Sequence, residues 1–197
     1  MAAPGLAEAF IARGDEVAGH GRSNAERQGV LSEPEETALI AEATGVLAQH
    51  TGRAPKGWLG PWISQSLVTP DLLHAAGYEY LLDWCHDDQP VWMQTRQGRI
   101  LSVPYPQELN DIPQIVSRKH EGREFGDMII DAFEVMLEES KRRPLVMGIA
   151  LHGYIMGQPH RFYHLQRALQ HLRDRGGAAV WFTTAGAIND HFRGLGL

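Results

Sequence analysis

The chain has 197 residues, enough to bury one sizeable core, and its 43% hydrophobic and 21% charged residues are the make-up of an ordinary globular domain rather than a disordered or collagenous chain. The net charge of -6, with no basic run longer than Lys141-Arg142-Arg143, excludes the basic stripe of a nucleic-acid binder. No stretch reaches the roughly 18 apolar residues of a membrane span. Met1 to Phe10 lacks the basic start and long apolar run of a secretory signal, and the lone Cys85 cannot form an internal disulfide, so a cytoplasmic protein without nucleic-acid or membrane partners is expected.

In chain order, Leu6 to Ala12 reads as a short amphipathic helix closed by Gly14, and Asp15 to Gly19 as a short strand ending at His20. Ser32 and Glu35 form a capping-box signature for a helix with Leu39, Ala43, Val46 and Leu47 on its apolar stripe, ended by Gly52. Lys56 to Trp62 reads as a strand, Pro70 to Ala76 as a helix stopped by Gly77, and Tyr78 to Asp83 as a strand buried on both faces. Ile100 to Val103 is another strand, and Pro104 to Glu121 is irregular. Phe125 to Ser140 has helical spacing of Phe125, Ile129, Phe133, Met136 and Leu137. Leu145 to Leu151 reads as the strongest buried strand, His160 to Arg175 as a helix, Ala178 to Thr183 as a strand and Thr184 to His191 as the last helix. Alternation of this kind predicts one α/β domain with parallel strands, yet only five or six strands are visible against the eight of a complete barrel.

In such folds functional side chains gather where the strands end. His20 sits between Gly19 and Gly21, which suits close approach to a ligand, or else a tight turn in which the imidazole meets a backbone carbonyl. Trp58 and Trp62 flank Gly60-Pro61 as pocket walls or as core aromatics. Asp83, Trp84, His86, Asp87, Asp88 and Trp92 crowd three carboxylates and an imidazole just past a buried strand, which favours function over a solvated loop. Cys85 beside His86 does not amount to a nucleophile, because adjacency in sequence is not pairing in space. His152 follows the strongest strand, with Gly153 beside it, as a general acid or base would. Tyr105, Glu108, Asn110 and Asp111 form either a substrate loop or helix-capping chemistry. His160, His164 and His171 share one helix and read as surface residues, since no glutamate follows His160 as in zinc proteases.

These segments resemble the polysaccharide deacetylase family, also called the NodB-homology carbohydrate esterases. The resemblance runs from Gly14-Asp15-Glu16-Val17-Ala18-Gly19-His20-Gly21 to Val180-Trp181-Phe182-Thr183-Thr184. It implies an α/β fold, a distorted and incomplete (β/α) barrel of the polysaccharide deacetylase type in a single domain, and removal of acyl groups from amides. His20 takes the first metal-histidine position, Leu59-Gly60-Pro61-Trp62 the third motif, Asp83-Trp84 the fourth and Leu151-His152 the fifth, where the family places its general-acid histidine. Asn24 stands where a second metal histidine would be, Leu59 where an arginine is usual, and the opening Asp-Asp motif has no counterpart, so the chain is expected to lack the family's N-terminal part. Asp83 to Trp92, with Pro104-Tyr105 and Asn110-Asp111, is similar to the allantoinase-related and cyclic-imide-hydrolysing branch.

The expected activity is hydrolysis of a non-peptide carbon–nitrogen bond, with His152 as proton shuttle, His20 positioning water or oxyanion, and Asp83 with them. Asn24, Trp62, Trp84, Asp87, Asp88, Trp92, Tyr105, Glu108, Asn110 and Asp111 are the expected substrate contacts. The substrate is a small amide, an amino sugar or a ureide or cyclic imide. No cofactor is expected, zinc or another divalent metal on His20 being the alternative, because one ligand does not hold zinc. A homo-oligomer is expected from the missing units. The competing reading is a non-catalytic remnant or binding module of the same family.

Overall fold

The computed structural model describes residues 4–196, and its internal contacts divide these into two units. The first comprises residues up to Asp83, Val91–Val103 and Thr183 onward; the second comprises Trp84–Pro90 and Pro104–Phe182.

Unit 1 opens with α1 (Pro4–Arg13), ended by Gly14 at φ 78°. Helix α2 (Glu33–Thr51) starts at the expected capping box, in which the Ser32 N–H donates to Glu35 Oε2 at 2.9 Å, and stops at left-handed Gly52. It buries Leu39, Ile40 and Ala43, whereas Val46 faces solvent. A four-stranded open sheet follows the order β1 (Gly57–Trp58), β2 (Tyr80–Leu81), β4 (Gly98–Ser102), β3 (Val91–Thr95). The first two pairings are parallel; β3 and β4 form an antiparallel hairpin with Val91 opposite Ser102. Helix α3 (Thr69–Ala75) is stopped by Gly77. Leu39, Ile40, Trp58, Leu73, Tyr78, Leu81 and Ile100 form one core, and α7 (Ala185–Gly194) packs Ile188 and Phe192 against the cluster of Tyr80, Leu101 and Val103.

Unit 2 is built on α4 (Gly122–Glu139), α5 (Gly153–Met156) and α6 (Pro159–Gly176). The stripe Phe125, Ile129 and Phe133 meets Leu165, Ala168 and Leu172 in a dry core, as two apolar faces at helical spacing must. A π-helical turn, Ile112–Ser117, contributes Ile115.

Several expected strands differ. Lys56 to Trp62 ladders only at Gly57–Trp58, because Pro61–Ile63 closes a tight turn with Trp62 at φ 62°. Asp15 to Gly19 and Leu145 to Leu151 are extended but make single parallel bridges, Gly19 with Trp58 and Asn110 with Ala150. Ala178 to Thr183 begins in a 3-10 turn and has no ladder among the described residues. Extended backbone becomes a strand only where a neighbour supplies partners for its N–H and C=O groups. The hairpin strand β3 lies in what reads as site loop, since its own alternation is weak. The sequence reading expects one domain; the internal contacts divide the described residues into the two units.

Candidate functional site

Unit 1 carries a histidine on a peptide anchor. His20 Nδ1 lies 2.6 Å from the Leu59 carbonyl, which can only accept, so Nδ1 carries the proton. Nε2 lies 2.9 Å from the Asn24 side-chain oxygen. A neutral ring offers Nε2 as an acceptor, which the Asn24 amide meets with its NH₂ turned inward; a protonated ring donates to the oxygen. Gly19 and Gly21 serve packing rather than a ligand: a Cβ on Gly19 would stand 2.3 Å from the Trp58 ring, and one on Gly21 2.6 Å from Pro61. Of the two tryptophans, Trp58 is core, its indole N–H donating to Gln28 at 3.0 Å, while Trp62 is 58% exposed and lies under the Arg27 guanidinium.

Asp83 ends β2's extended run and is 4% exposed. Its Oδ1 accepts the Gly60 N–H at 2.6 Å, while Oδ2 is sealed and without a partner. Burial pushes its carboxyl up to about 7, against the Gly60 N–H and with the help of the nearby Glu36 charge. Glu36 is itself fully buried, accepting from Gln28 at 2.8 Å, Ser66 at 2.6 Å and Thr69. The sequence reading places Asp83 with the catalytic histidines; the structure encloses its carboxyl, with the Gly60 N–H on Oδ1 and no partner on Oδ2.

Unit 2 carries the second histidine, at the N-terminus of α5. Fully buried Asp111 takes both of its donors: the His152 backbone N–H meets Oδ2 at 2.7 Å and Nδ1–H meets Oδ1 at 2.6 Å. The loop is pinned beneath them by Ala150 N–H to Leu109 O, 2.9 Å, and Asp111 N–H to Ala150 O, 3.2 Å. The imidazole is partly exposed and packs edge-on against Tyr154, with ring centroids 5.8 Å apart. Asp111 fixes the tautomer and orientation, leaving Nε2 as the nitrogen that can exchange a proton with a ligand. Sequence reasoning places Asp111 among substrate contacts; the structure makes it the orienting carboxylate of His152, a pairing across 41 residues that no local pattern announces.

The remaining expected contacts take other positions. Trp92, on β3, lies between Arg99, 4.1 Å from the ring centroid, and Phe192 at 6.0 Å, in unit 1's packing. Trp84 is exposed and stacks with His86 at 6.5 Å. Asp87 is exposed beside Arg143, and the Asp88 carbonyl accepts from Val146 N–H at 2.8 Å. The Tyr105 N–H reaches Trp84 O at 2.9 Å, and the Glu108 carbonyl accepts from the Gln114 amide at 2.8 Å. The Asn110 side chain caps the π-helical turn through Ile112 N–H at 3.2 Å, the capping alternative for that cluster. Among the helix histidines, His160 is exposed, His171 pairs with Glu134 at 2.7 Å, and His164 departs from the surface reading, its Nδ1 sealed without a partner. Cys85 is exposed.

Zinc needs three protein donors from histidine, cysteine or carboxylate. Among the described residues no three such side chains gather, and the nitrogen that His20 would offer is engaged by Asn24, so these residues do not fit a metal ion.

No family model matches the chain. A polysaccharide deacetylase-type protein of Schizosaccharomyces pombe is 33% identical over an alignment of 113 positions that covers 52% of this chain and 35% of that protein. The crystal structure of a polysaccharide deacetylase-type protein from Pseudomonas aeruginosa PAO1 superposes with a TM-score of 0.85 at 29% identity, covering 96% of this chain and 63% of that one. This chain is related to the polysaccharide deacetylases and has their fold. The Puue allantoinase structure is as similar, with a TM-score of 0.87 at 28% identity over 97% of this chain and 63% of its own. The chain thus spans about a third of the yeast relative and under two thirds of each of these two solved structures. The resemblance read from the motifs and the α/β fold class both hold, with a sheet that is open rather than closed.

Proposed function

We propose that this chain carries the proton-transfer part of a hydrolase acting on non-peptide carbon–nitrogen bonds. His152 Nε2 takes a proton from water as its oxygen adds to the acyl carbon, and returns that proton to the departing nitrogen as the carbon–nitrogen bond breaks, so the ring ends as it began. The observation that carries the reading is Asp111 bound through both oxygens to one residue, which holds the His152 ring in a single tautomer with Nε2 as its exchanging nitrogen. General acid-base catalysis by such a group contributes about 10²- to 10⁴-fold. Nothing in the proposed step is routed through a metal, because the described donor set does not fit one.

The polysaccharide deacetylase relatives support N-acetyl sugars as the substrate class, and the allantoinase likeness supports ureides or cyclic imides as the second. No helix of the described residues is long and apolar enough to cross a membrane. A cytoplasmic location and a homo-oligomer are part of the proposal, the oligomer supported by the exposed neighbouring Trp181 and Phe182 side chains. The test is product release from chito-oligosaccharides, allantoin and cyclic imides by the purified chain and by His152→Ala. Turnover by the parent and its loss in the variant supports the reading; turnover that His152→Ala leaves undiminished overturns it.

A further inference from the structure

The buried carboxyl of Asp83 leads to an inference that lies outside the proposed reaction and concerns unit 1 alone. The Leu59 C=O and the Gly60 N–H belong to one peptide group. The C=O holds His20 Nδ1 at 2.6 Å, and the N–H is held by Asp83 Oδ1 at 2.6 Å. We propose that Asp83 is a positioning residue for His20, acting through the Leu59–Gly60 peptide: carboxyl, peptide and imidazole form one hydrogen-bonded chain that sets which ring nitrogen carries the proton.

The physical basis is cooperativity. An acceptor on a peptide N–H pushes electron density toward the C=O of the same group, which then binds its own donor more strongly, and the effect is greater away from water. Gly60 is buried and Asp83 is sealed, so water does not screen the chain at that end. The local sequence leaves little freedom for another arrangement. A Cβ on Gly60 would stand 2.4 Å from the Ser64 carbonyl and 3.2 Å from Asp83 Oδ1, so the close approach of carboxyl and peptide requires glycine there. Trp62 and Ile63 hold left-handed conformations at φ 62° and 52°, and Ser64 N–H to Pro61 O at 3.1 Å closes the turn that fixes the peptide plane.

The charged groups around the chain are few. Glu36, on α2, is the carboxylate whose field reaches Asp83, and it is occupied by Gln28, Ser66 and Thr69. Asp83 has no cation partner in the hydrogen-bond and ion-pair network described for it, so its influence passes through Gly60. The outcome at the other end is a His20 ring with its proton on Nδ1 and its Nε2 turned to Asn24.

The experiment reads the ring directly, without substrate, so failure of the proposed hydrolysis leaves it unaffected. The full chain is labelled with ¹⁵N-histidine and its long-range ¹H–¹⁵N spectrum is recorded at pH 8.5, with His20→Gln used only to assign the signal. Asp83→Asn removes the charge and keeps the shape; Asp83→Ala removes both, and near-ultraviolet circular dichroism reports folding. The expected result is that the ratio of Nδ1–H to Nε2–H forms of His20 falls about tenfold in Asp83→Asn, and at least as far in Asp83→Ala. A folded Asp83→Asn with the parent ratio overturns the proposal, whether or not Asp83→Ala folds. A purely packing role for Asp83 predicts that unchanged ratio.

Discussion

Replacing Asp83 by asparagine is expected to change how stability depends on pH. Burial is the main cause that pushes the Asp83 carboxyl up to about 7, with the Gly60 N–H opposing it and Glu36 adding to it. In the unfolded chain an aspartate titrates near 3.9. Between about pH 4 and 7 the folded state therefore holds a proton that the unfolded state has lost, so the free energy of unfolding falls as pH rises. The contribution is fully present below about pH 4 and gone above about pH 7. Three units at about 1.4 kcal/mol each amount to about 4 kcal/mol, of which about 3 kcal/mol falls between pH 5 and 8.5. That is a large share of the 5–15 kcal/mol typical of a whole domain. The Asp83→Asn variant has nothing to titrate there, and the cost of burying its amide is independent of pH. Urea unfolding followed by tryptophan fluorescence, repeated across that range for both proteins, isolates the effect as a changing difference between two curves. Parallel curves would refute the account of Asp83 as a carboxyl buried without a counter-charge.

Asp111→Asn is expected to lower hydrolysis about 10²- to 10⁴-fold while leaving the fold intact, because an amide cannot accept from both His152 donors at once; steady-state rates beside His152→Ala check this. Gly60→Ala should destabilise the protein by about 1–3 kcal/mol, since its Cβ meets the Ser64 carbonyl at 2.4 Å, and thermal unfolding measures it. Ser32→Ala should cost about 1 kcal/mol through loss of the Ser32 hydroxyl at the start of α2, which donates to Glu35 Oε2 at 2.6 Å, while the backbone half of the capping box remains; the urea midpoint reads it. Elemental analysis should find less than stoichiometric zinc in the purified chain, and any turnover should survive a chelator; one tightly held zinc per chain would contradict the donor set described here.

The helices were legible in the sequence because their determinants are local. Ser32 and Glu35 cap α2 from three residues apart, Gly14, Gly52 and Gly77 supply left-handed stops, and Phe125, Ile129 and Phe133 repeat at the spacing that makes a buried face. The two histidines were legible as well, each beside a glycine where an extended segment ends, and so was the family likeness that the fold bears out. One alternative for each ambiguous motif also emerged: a carbonyl on His20, a core role for Trp58, a cap from Asn110. Strands were less legible, because a ladder depends on what lies alongside. Leu145 to Leu151 has a strand's composition but one bridge, whereas β3, weakly patterned, gains a full partner in β4. Only the tertiary structure could show that Asp111 belongs to His152, 41 residues away, and that Asp83 reaches His20 through a peptide of a third segment. Side-chain type fixes what a residue can donate or accept, but its partner is chosen by which chain segments the packing of apolar faces brings within hydrogen-bond reach.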